Sequence, residues 1–437
     1  MLLTWIITIS LITYLIYLVN FALSASIHLP TIQPVDKLDQ FTFCLVIPVL
    51  NEQQVIGETI RQLLTEMKKM PPQVKSQLIA VNDDSADSSR AIIEQLQRQY
   101  PNLILLNREP KDAHRGKGAV LNAAVASIHQ HTEIDPAHTI LGILDADSII
   151  QAADLTKVFT YFTTHPAVDM LQGSVKIYNN DHWLTQMQDF EFMGINSALQ
   201  QVRQTYGQGI ASGNGQFMRL PMALANPWGH GLLEDLEFTL KAWTKGFTTA
   251  FSDDIVVYQS GIEKVRPLIR QRVRWCQGSM QCWRYLPAIW ISSHTNFFQK
   301  LDTTLWLVLP VLSTFIPIAN VVALVLQVYN FLHSPAGWIS PALIMILALS
   351  LIICLAVGLE YHENIAKIKP ATYPQAIGLS ILYQAYLVLL IPVPCIALGR
   401  QLLHMTKWEK TEHTQSPATE QSDTAKSPTA RHTSVEK

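Results

Sequence analysis

Asp145 and Asp147 flank a single alanine at the end of an apolar run over residues 139–144. Strand alternation aims both carboxylates at one place, an arrangement that holds a hard divalent ion such as Mg2+ or Mn2+ and leaves positions free for phosphate. Taken singly, an aspartate after a strand is more often a turn or helix N-cap residue. Three other apolar runs end in groups of the same kind: Asn51 with Glu52, Asp83 with Asp84, and Arg108. One edge thus gathers carboxylates and a cation.

Residues 114–118, His-Arg-Gly-Lys-Gly, precede an apolar helix expected over 119–128. They offer Lys117 and backbone N–H groups to a phosphate, although the spacing is not that of a P-loop and an ordinary solvated basic turn fits these residues equally well. Leu232-Leu233-Glu234-Asp235 opens a helix with Leu236, Leu240 and Trp243 on its buried face. Acidic residues at a helix start complement the dipole; a carboxylate held there is also a candidate general base for a hydroxyl. Gln271-Arg272-Val273-Arg274-Trp275 joins a guanidinium and an indole, groups that bind diphosphate and stack on sugar rings. The aromatic stretch that follows, with Tyr285, Trp290 and Phe297, suits a membrane interface.

The elements that must position these residues alternate. Apolar runs at 41–49, 77–81, 102–106 and 139–144 read as strands, and residues 54–70 place Ile56, Ile60, Leu63, Leu64 and Met67 on one helical face. Strands separated by helices predict an α/β domain with a mostly parallel sheet, whose ligands bind outside the carboxyl ends of the strands.

Only 15% of the 437 residues are charged while 49% are hydrophobic, against roughly 25% charged in an average soluble domain. The deficit is local. Residues 2–29 contain no Lys, Arg, Asp or Glu and are long enough to cross a hydrocarbon core; a signal peptide would need a positive start that is missing. Three further runs, 303–332, 338–358 and 376–399, follow the polar region, the first two joined by a short turn at 333–337. One span before the domain and three after it would place the tail on the opposite face from the domain, whereas Arg400, Lys407 and Lys410 favour the cytoplasmic face; Pro392 and Pro394 mark the last run as the place where the count can fail. Residues 411–437 are too poor in apolar groups to order themselves. A formal net charge of −2 lacks the basic footprint of a nucleic-acid binder. Five cysteines without C-x-x-C spacing argue against a disulfide framework and a zinc site.

In order, the motifs resemble those of the membrane-integrated family 2 glycosyltransferases of the GT-A fold, the group that contains poly-N-acetylglucosamine, cellulose and hyaluronan synthases. Val46-Ile47-Pro48-Val49-Leu50-Asn51-Glu52 is similar to the opening strand and P-x-x-N-E turn, Val81 to Asp87 to the nucleotide loop, and Gly116-Lys117 to Asn122 to G-K-x-x-x-L-N. Asp145-Ala146-Asp147 resembles D-x-D, Glu234-Asp235 the T-E-D motif and Gln271 to Trp275 Q-x-x-R-W. Two departures stand out: Leu233 replaces the usual Thr, and Ser212-Gly213-Asn214-Gly215-Gln216 differs from the small-residue motif of cellulose synthases.

The resemblance implies a GT-A (Rossmann-like) cytosolic domain at 41–275 with flanking transmembrane helices. The anchor is placed at 1–29, interfacial amphipathic helices at 276–302, about three spans at 303–399 and a disordered tail at 411–437. It further implies an inverting transfer from a UDP-sugar, UDP-GlcNAc or UDP-Glc, to a growing β-linked polysaccharide, with a lipid acceptor, as in glycosyl-diacylglycerol synthases, as the alternative. Glu52, Asp83, Lys117, Asp145, Gln271 and Arg274 would bind the nucleotide sugar, and Asp145 and Asp147 a Mg2+ or Mn2+ ion. Asp235, next to Glu234, would be the base, and Gly213, Asn214 and Trp275 would meet the acceptor. Expected partners are the donor, the acceptor, membrane lipids and an accessory membrane subunit that completes a channel, with no nucleic acid. The expected place is the plasma membrane, multi-pass, with the catalytic domain cytoplasmic. A non-catalytic nucleotide-sugar sensor would have no need of a base, and a transporter would be expected to carry charge within its spans.

Overall fold

The computed structural model describes residues 2–27, 29–130, 134–333 and 341–405; the tail expected at 411–437, the turn at 334–337, Lys407 and Lys410 lie outside them. Phe41–Val49 (β1) is buried almost throughout, as a central strand covered on both faces must be. It pairs in parallel with β2 (Val74–Asn82) on one side and β4 (Thr139–Ile143) on the other, and β2 pairs in parallel with β3 (Leu103–Asn107). Beyond β4 the directions mix. β7 (Gln216–Arg219) runs antiparallel to β4 and to β6 (Met170–Ile177), β8 (Thr249–Gln259) is parallel to β6, and the short β5 (Ile149–Ile150) closes the edge. The order across the eight strands is β3-β2-β1-β4-β7-β6-β8-β5.

Two apolar cores sandwich this sheet. On one face Ile56, Ile60, Leu63, Leu64 and Met67 of the helix Ile56–Met67 pack with Phe43, Leu45 and Phe159. On the other, Val120, Leu121 and Ala124 of the helix Lys117–Gln130 pack with Val46, Ile143 and Phe238. The register sets Val49 opposite Asn82 and Asn82 opposite Asn107. The turns bearing Glu52, Asp83 and Arg108 therefore leave the sheet together.

Among the described residues four helices are long and apolar enough to cross a membrane: Trp5–Ser24, Phe315–His333, Ile344–Ala366 and Tyr373–Leu402. Side chains such as Leu15, Val19, Leu324, Val325 and Leu351 stand exposed on them, as lipid-facing residues would. Polar groups knit the helices inside: Tyr14 donates to Asn320 at 2.6 Å and accepts from the Ser350 hydroxyl at 3.0 Å, and Asn320 donates to Gln384 at 3.4 Å.

The run at 303–332, expected as one span, is divided into Phe297–Leu312 and Phe315–His333. Pro317 cannot donate at the start of the second helix, and the Ser313 carbonyl it would have bonded accepts from the Ile316 N–H at 3.3 Å instead, a local tightening that makes a broken membrane helix tolerable. The last run also breaks, at Ile391, between Tyr373–Leu390 and Pro392–Leu402. Its final helix packs Val393 and Ala397 against Val273, Cys276 and Met280 of the helix Val265–Cys282, and Arg400 donates to Gln277 at 3.1 Å. Arg400 thus sits beside the helix that ends the α/β domain.

Candidate active site

A cavity of about 1100 Å³ opens at the carboxyl edge of the parallel strands and continues between the apolar helices. Glu52, Asp83, Lys117, Asp145, Asp147, Gly213, Glu234, Asp235, Gln271, Arg274 and Trp275 all reach its wall. Eleven of the twelve expected site residues thus meet in one space. Asn214 is behind the wall: its amide donates to Ser148 at 2.9 Å and Gln259 at 2.7 Å and accepts from the Asp145 N–H at 3.3 Å. Its side chain shapes the Asp145–Asp147 turn.

At this strand-end edge three non-glycine residues, Asn51, Asp84 and His114, adopt left-handed φ values of 53°, 57° and 59°, a conformation these residue types tolerate best. The buried Asp83 carboxylate pairs with Arg108 and accepts from the His114 N–H at 3.2 Å. Sequence reasoning left Arg108 as a bare cation after a strand; the parallel register makes it the partner of Asp83. Glu52 is buried, and its N–H donates to Ser89 at 2.7 Å.

Lys117 begins its helix where Gly118 lies against another loop; a Cβ there would sit 2.2 Å from the Gly229 carbonyl oxygen. Its ammonium reaches Asp145 at 2.5 Å and the Gly213 carbonyl at 2.6 Å. Burial works against that charge, but Asp145, Glu234 and Asp235 outweigh it and raise the Lys117 pKa above its ordinary value. Asp147 accepts from the Ser260 N–H at 3.1 Å and from the Ser148 hydroxyl at 3.4 Å. Among the described residues no group of three or more His, Cys, Asp or Glu side chains gathers as a metal cage. Two carboxylates on the cavity wall still fit a Mg2+ or Mn2+ ion, which ordinarily takes its remaining oxygens from phosphate and water. Lys117 already places a cation against one of them.

Glu234 and Asp235 form the first turn of the helix Glu234–Thr244. Burial disfavours both carboxylates: the Glu234 pKa is raised, and that of Asp235, with Glu234 alongside, is pushed up to about 7. Asp235 accepts from the Leu236 N–H at 2.8 Å. Gly213 faces it with φ 77°, and a Cβ there would lie 3.1 Å from Asp235 Oδ2. Gly213→Ala is therefore expected to cost about 1–2 kcal/mol through its left-handed backbone and to lower transfer about tenfold or more by displacing the carboxylate. Thermal unfolding run beside initial rates checks both effects.

Three features escaped sequence reasoning. Glu237, one turn further along the helix, accepts from the Gly231 N–H at 3.1 Å, Arg284 at 2.9 Å and Tyr285 at 2.5 Å, tying the loop before Glu234 to the aromatic segment. Tyr14 and Tyr17 of the first apolar helix line the cavity, although nothing in a continuous apolar run separates a lining face from a lipid face. Glu191 also reaches the wall, from a π-helical turn, Glu191–Asn196, that has no sequence signature.

The chain is 32% identical over 248 residues to the beta-monoglucosyldiacylglycerol synthase of Synechocystis sp., an alignment covering 56% of this chain and 48% of that protein. It is 22% identical over 248 residues to a poly-beta-1,6-N-acetyl-D-glucosamine synthase of Staphylococcus aureus, covering 56% of this chain and 55% of that one. The chain spans about half the length of the curated relatives it matches. Its fold is shared with a mannosyltransferase of Pyrobaculum calidifontis solved with GDP-Man and Mn2+, at 14% identity and a TM-score of 0.54 over 92% of this chain and 99% of that one. Residues 40–278, more than half of the sequence and the whole of the α/β domain described above, match the family described as Glycosyltransferase like family 2, and the chain belongs to that family.

Proposed function

We propose that the protein is a membrane-bound inverting glycosyltransferase that moves a hexosyl group from a UDP-sugar to an acceptor hydroxyl presented from the membrane. The observation that carries this reading is the single cavity joining Asp83, Lys117 and the Asp145–Asp147 pair to Asp235 and onward to the apolar helices. Glu52 and Asp83 take the uridine part, and Lys117, Gln271 and Arg274 the diphosphate. A divalent ion on Asp145 and Asp147, when bound, supplies Lewis-acid stabilisation of the leaving diphosphate. Asp235, as carboxylate, takes the proton of the acceptor hydroxyl while that oxygen bonds to the anomeric carbon. The bond to UDP breaks on the opposite side, giving inversion. Trp275 floors the acceptor end.

A growing β-linked polysaccharide is the first reading of the acceptor, supported by Trp275 and by the hydroxyls of Tyr14, Tyr17 and Ser350 along the cavity. A lipid hydroxyl is the second, favoured by the apolar wall of Ile316, Ile353, Val357 and Leu387 and by the 32% identity to a glucosyldiacylglycerol synthase. Reconstituted protein given labelled UDP-sugars separates them: high-mass glycosidase-sensitive product supports the polymer, and label in the organic phase supports the lipid. Absence of sugar transfer from every donor overturns the function.

The base has to be ionised, and burial together with Glu234 holds the Asp235 pKa near about 7. Transfer is therefore expected to be low at pH 5–6 and to rise with pH through about 7. A cation on the neighbouring aspartates moves that midpoint down, since positive charge favours the carboxylate. Initial rates at saturating donor across pH 5–9 check this; a rate that falls as the pH rises through 7 contradicts it.

A further inference from the structure

The loop before Glu234 has a Gly-His-Gly tip, Gly229-His230-Gly231, with no part in the transfer described above. Both glycines press against the carboxylate of Glu237: a Cβ on Gly229 would lie 2.1 Å from its Oε1, and one on Gly231 2.7 Å from its Oε2. A side chain at either position would collide with that carboxylate. His230 is therefore the one side chain the tip presents.

The backbone is fixed on both sides of it. Before the tip, the Trp228 N–H donates to the Asn122 side chain at 2.9 Å and the Trp228 carbonyl accepts from the same amide at 2.9 Å, while the indole stacks on Phe238 at 4.3 Å. After it, the Gly231 N–H donates to Glu237 at 3.1 Å and the Leu232 N–H to Gln281 at 3.1 Å. None of these bonds uses the imidazole, which is exposed and lines the cavity.

The course of the loop decides what the imidazole meets. Its Gly229 carbonyl lies against Gly118, next to Lys117, whose ammonium stands at Asp145. From there His230, Gly231, Leu232, Leu233 and Glu234 follow the cavity wall to Asp235. In the transfer, the anomeric carbon is joined to the diphosphate and attacked by the oxygen that Asp235 deprotonates. The hexosyl group must then lie between the Lys117–Asp145 pair and Asp235, along that stretch of wall.

Resting on the transfer reaction proposed above, we propose that His230 is a donor-specificity residue, whose imidazole bonds a hydroxyl or N-acetyl oxygen of the hexosyl group. A neutral imidazole has one donor and one acceptor nitrogen, which suits a hydroxyl that can both give and take a bond. A site built to bond a particular hydroxyl rejects a donor that lacks it there. The residue thus sorts hexoses without touching the nucleotide.

The test uses the full chain in lipid nanodiscs with Mg2+, parent and His230→Ala, titrated by calorimetry in the absence of acceptor with UDP, UDP-glucose, UDP-galactose and UDP-N-acetylglucosamine. UDP reports the nucleotide contacts alone, so the ratio of UDP Kd to UDP-hexose Kd reports the hexose. His230→Ala is expected to weaken the tightest-bound UDP-hexose about three- to tenfold, as loss of one hydrogen bond does, with UDP Kd within about twofold. The preference among the three donors in kcat/KM is expected to narrow by a similar factor. An exposed side chain is replaced, so the core stays intact. An unchanged ratio, or a UDP Kd that rises in parallel with the UDP-hexose Kd, overturns the assignment; if the parent transfers sugar, the proposed function stands without it. A ratio that depends on His230 in a protein that transfers no sugar overturns the proposed function and leaves the hexose subsite standing. A parent that binds none of the three UDP-hexoses overturns both.

Discussion

Asp235→Asn is expected to lower sugar transfer about 10³-fold, within the range that removal of a general base produces, while UDP still binds. The substitution keeps the shape, and the new amide oxygen can still accept the Leu236 N–H that Asp235 accepts at 2.8 Å. Its effect on stability separates chemistry from folding. Burial and Glu234 raise the folded pKa of Asp235 to about 7, above its unfolded value. A raised acid pKa means that the folded state holds the proton more tightly than the unfolded one, so the carboxylate weakens folding progressively as pH rises from about 4 through 7. Removing the charge relieves that penalty. The variant should therefore unfold at the same temperature as the parent or higher at pH 8, and be inactive. Turnover retained at more than a tenth of the parent rate would remove Asp235 from the role of base.

The second large effect is expected at Asp147. This carboxylate is 2% exposed and accepts from the Ser260 N–H, so an alanine would confound loss of a ligand with an orphaned donor costing about 1–3 kcal/mol. Asparagine keeps an acceptor for Ser260 and removes the charge. Asp147→Asn is expected to lower the divalent-ion-dependent rate at least about 10²-fold, since charge stabilisation by a metal is worth several kcal/mol and each 1.36 kcal/mol is tenfold in rate. The check is a titration of rate against Mg2+ and Mn2+ for parent and variant, with chelator controls. Full parent activity in excess EDTA would sink the metal assignment.

Much of this was legible in the residues because local rules and global fold agree. Alternating apolar strands and helices called for a mostly parallel sheet, and its polar strand ends became one edge because parallel strands all point their carboxyl ends the same way. Asp83 and Asp145 could be singled out for that reason, and Lys117 and Asp235 by their places at helix starts and by the family resemblance. Long uncharged runs likewise announced their own helices, since a run of that length leaves little other use for itself in water.

Other parts were invisible for equally physical reasons. The division at Ser313 lies where Pro317 removes the donor for its carbonyl, and the Ser10 hydroxyl, some three hundred residues away in the chain, docks beside it on Phe315. Asn214 read as a small polar residue near the acceptor, yet its side chain bonds the Asp145 N–H and the Ser148 hydroxyl at the Asp145–Asp147 turn and Gln259 beside it. Glu191 sits mid-helix with no neighbour in sequence to mark it, and its meaning comes from Arg272, whose Nη2 it accepts at 2.6 Å.

The sequence by itself determined the α/β class, the apolar helices and the chemical types at the strand ends, because periodicity and strand direction are local properties. Only the tertiary structure decided that Tyr14 and Tyr17 line the same cavity as Asp235, that Arg108 answers Asp83, and that the last helix returns to the helix carrying Trp275. Those outcomes depend on which buried polar groups find partners across long stretches of chain, a requirement that packing has to satisfy all at once and that no short window of residues contains.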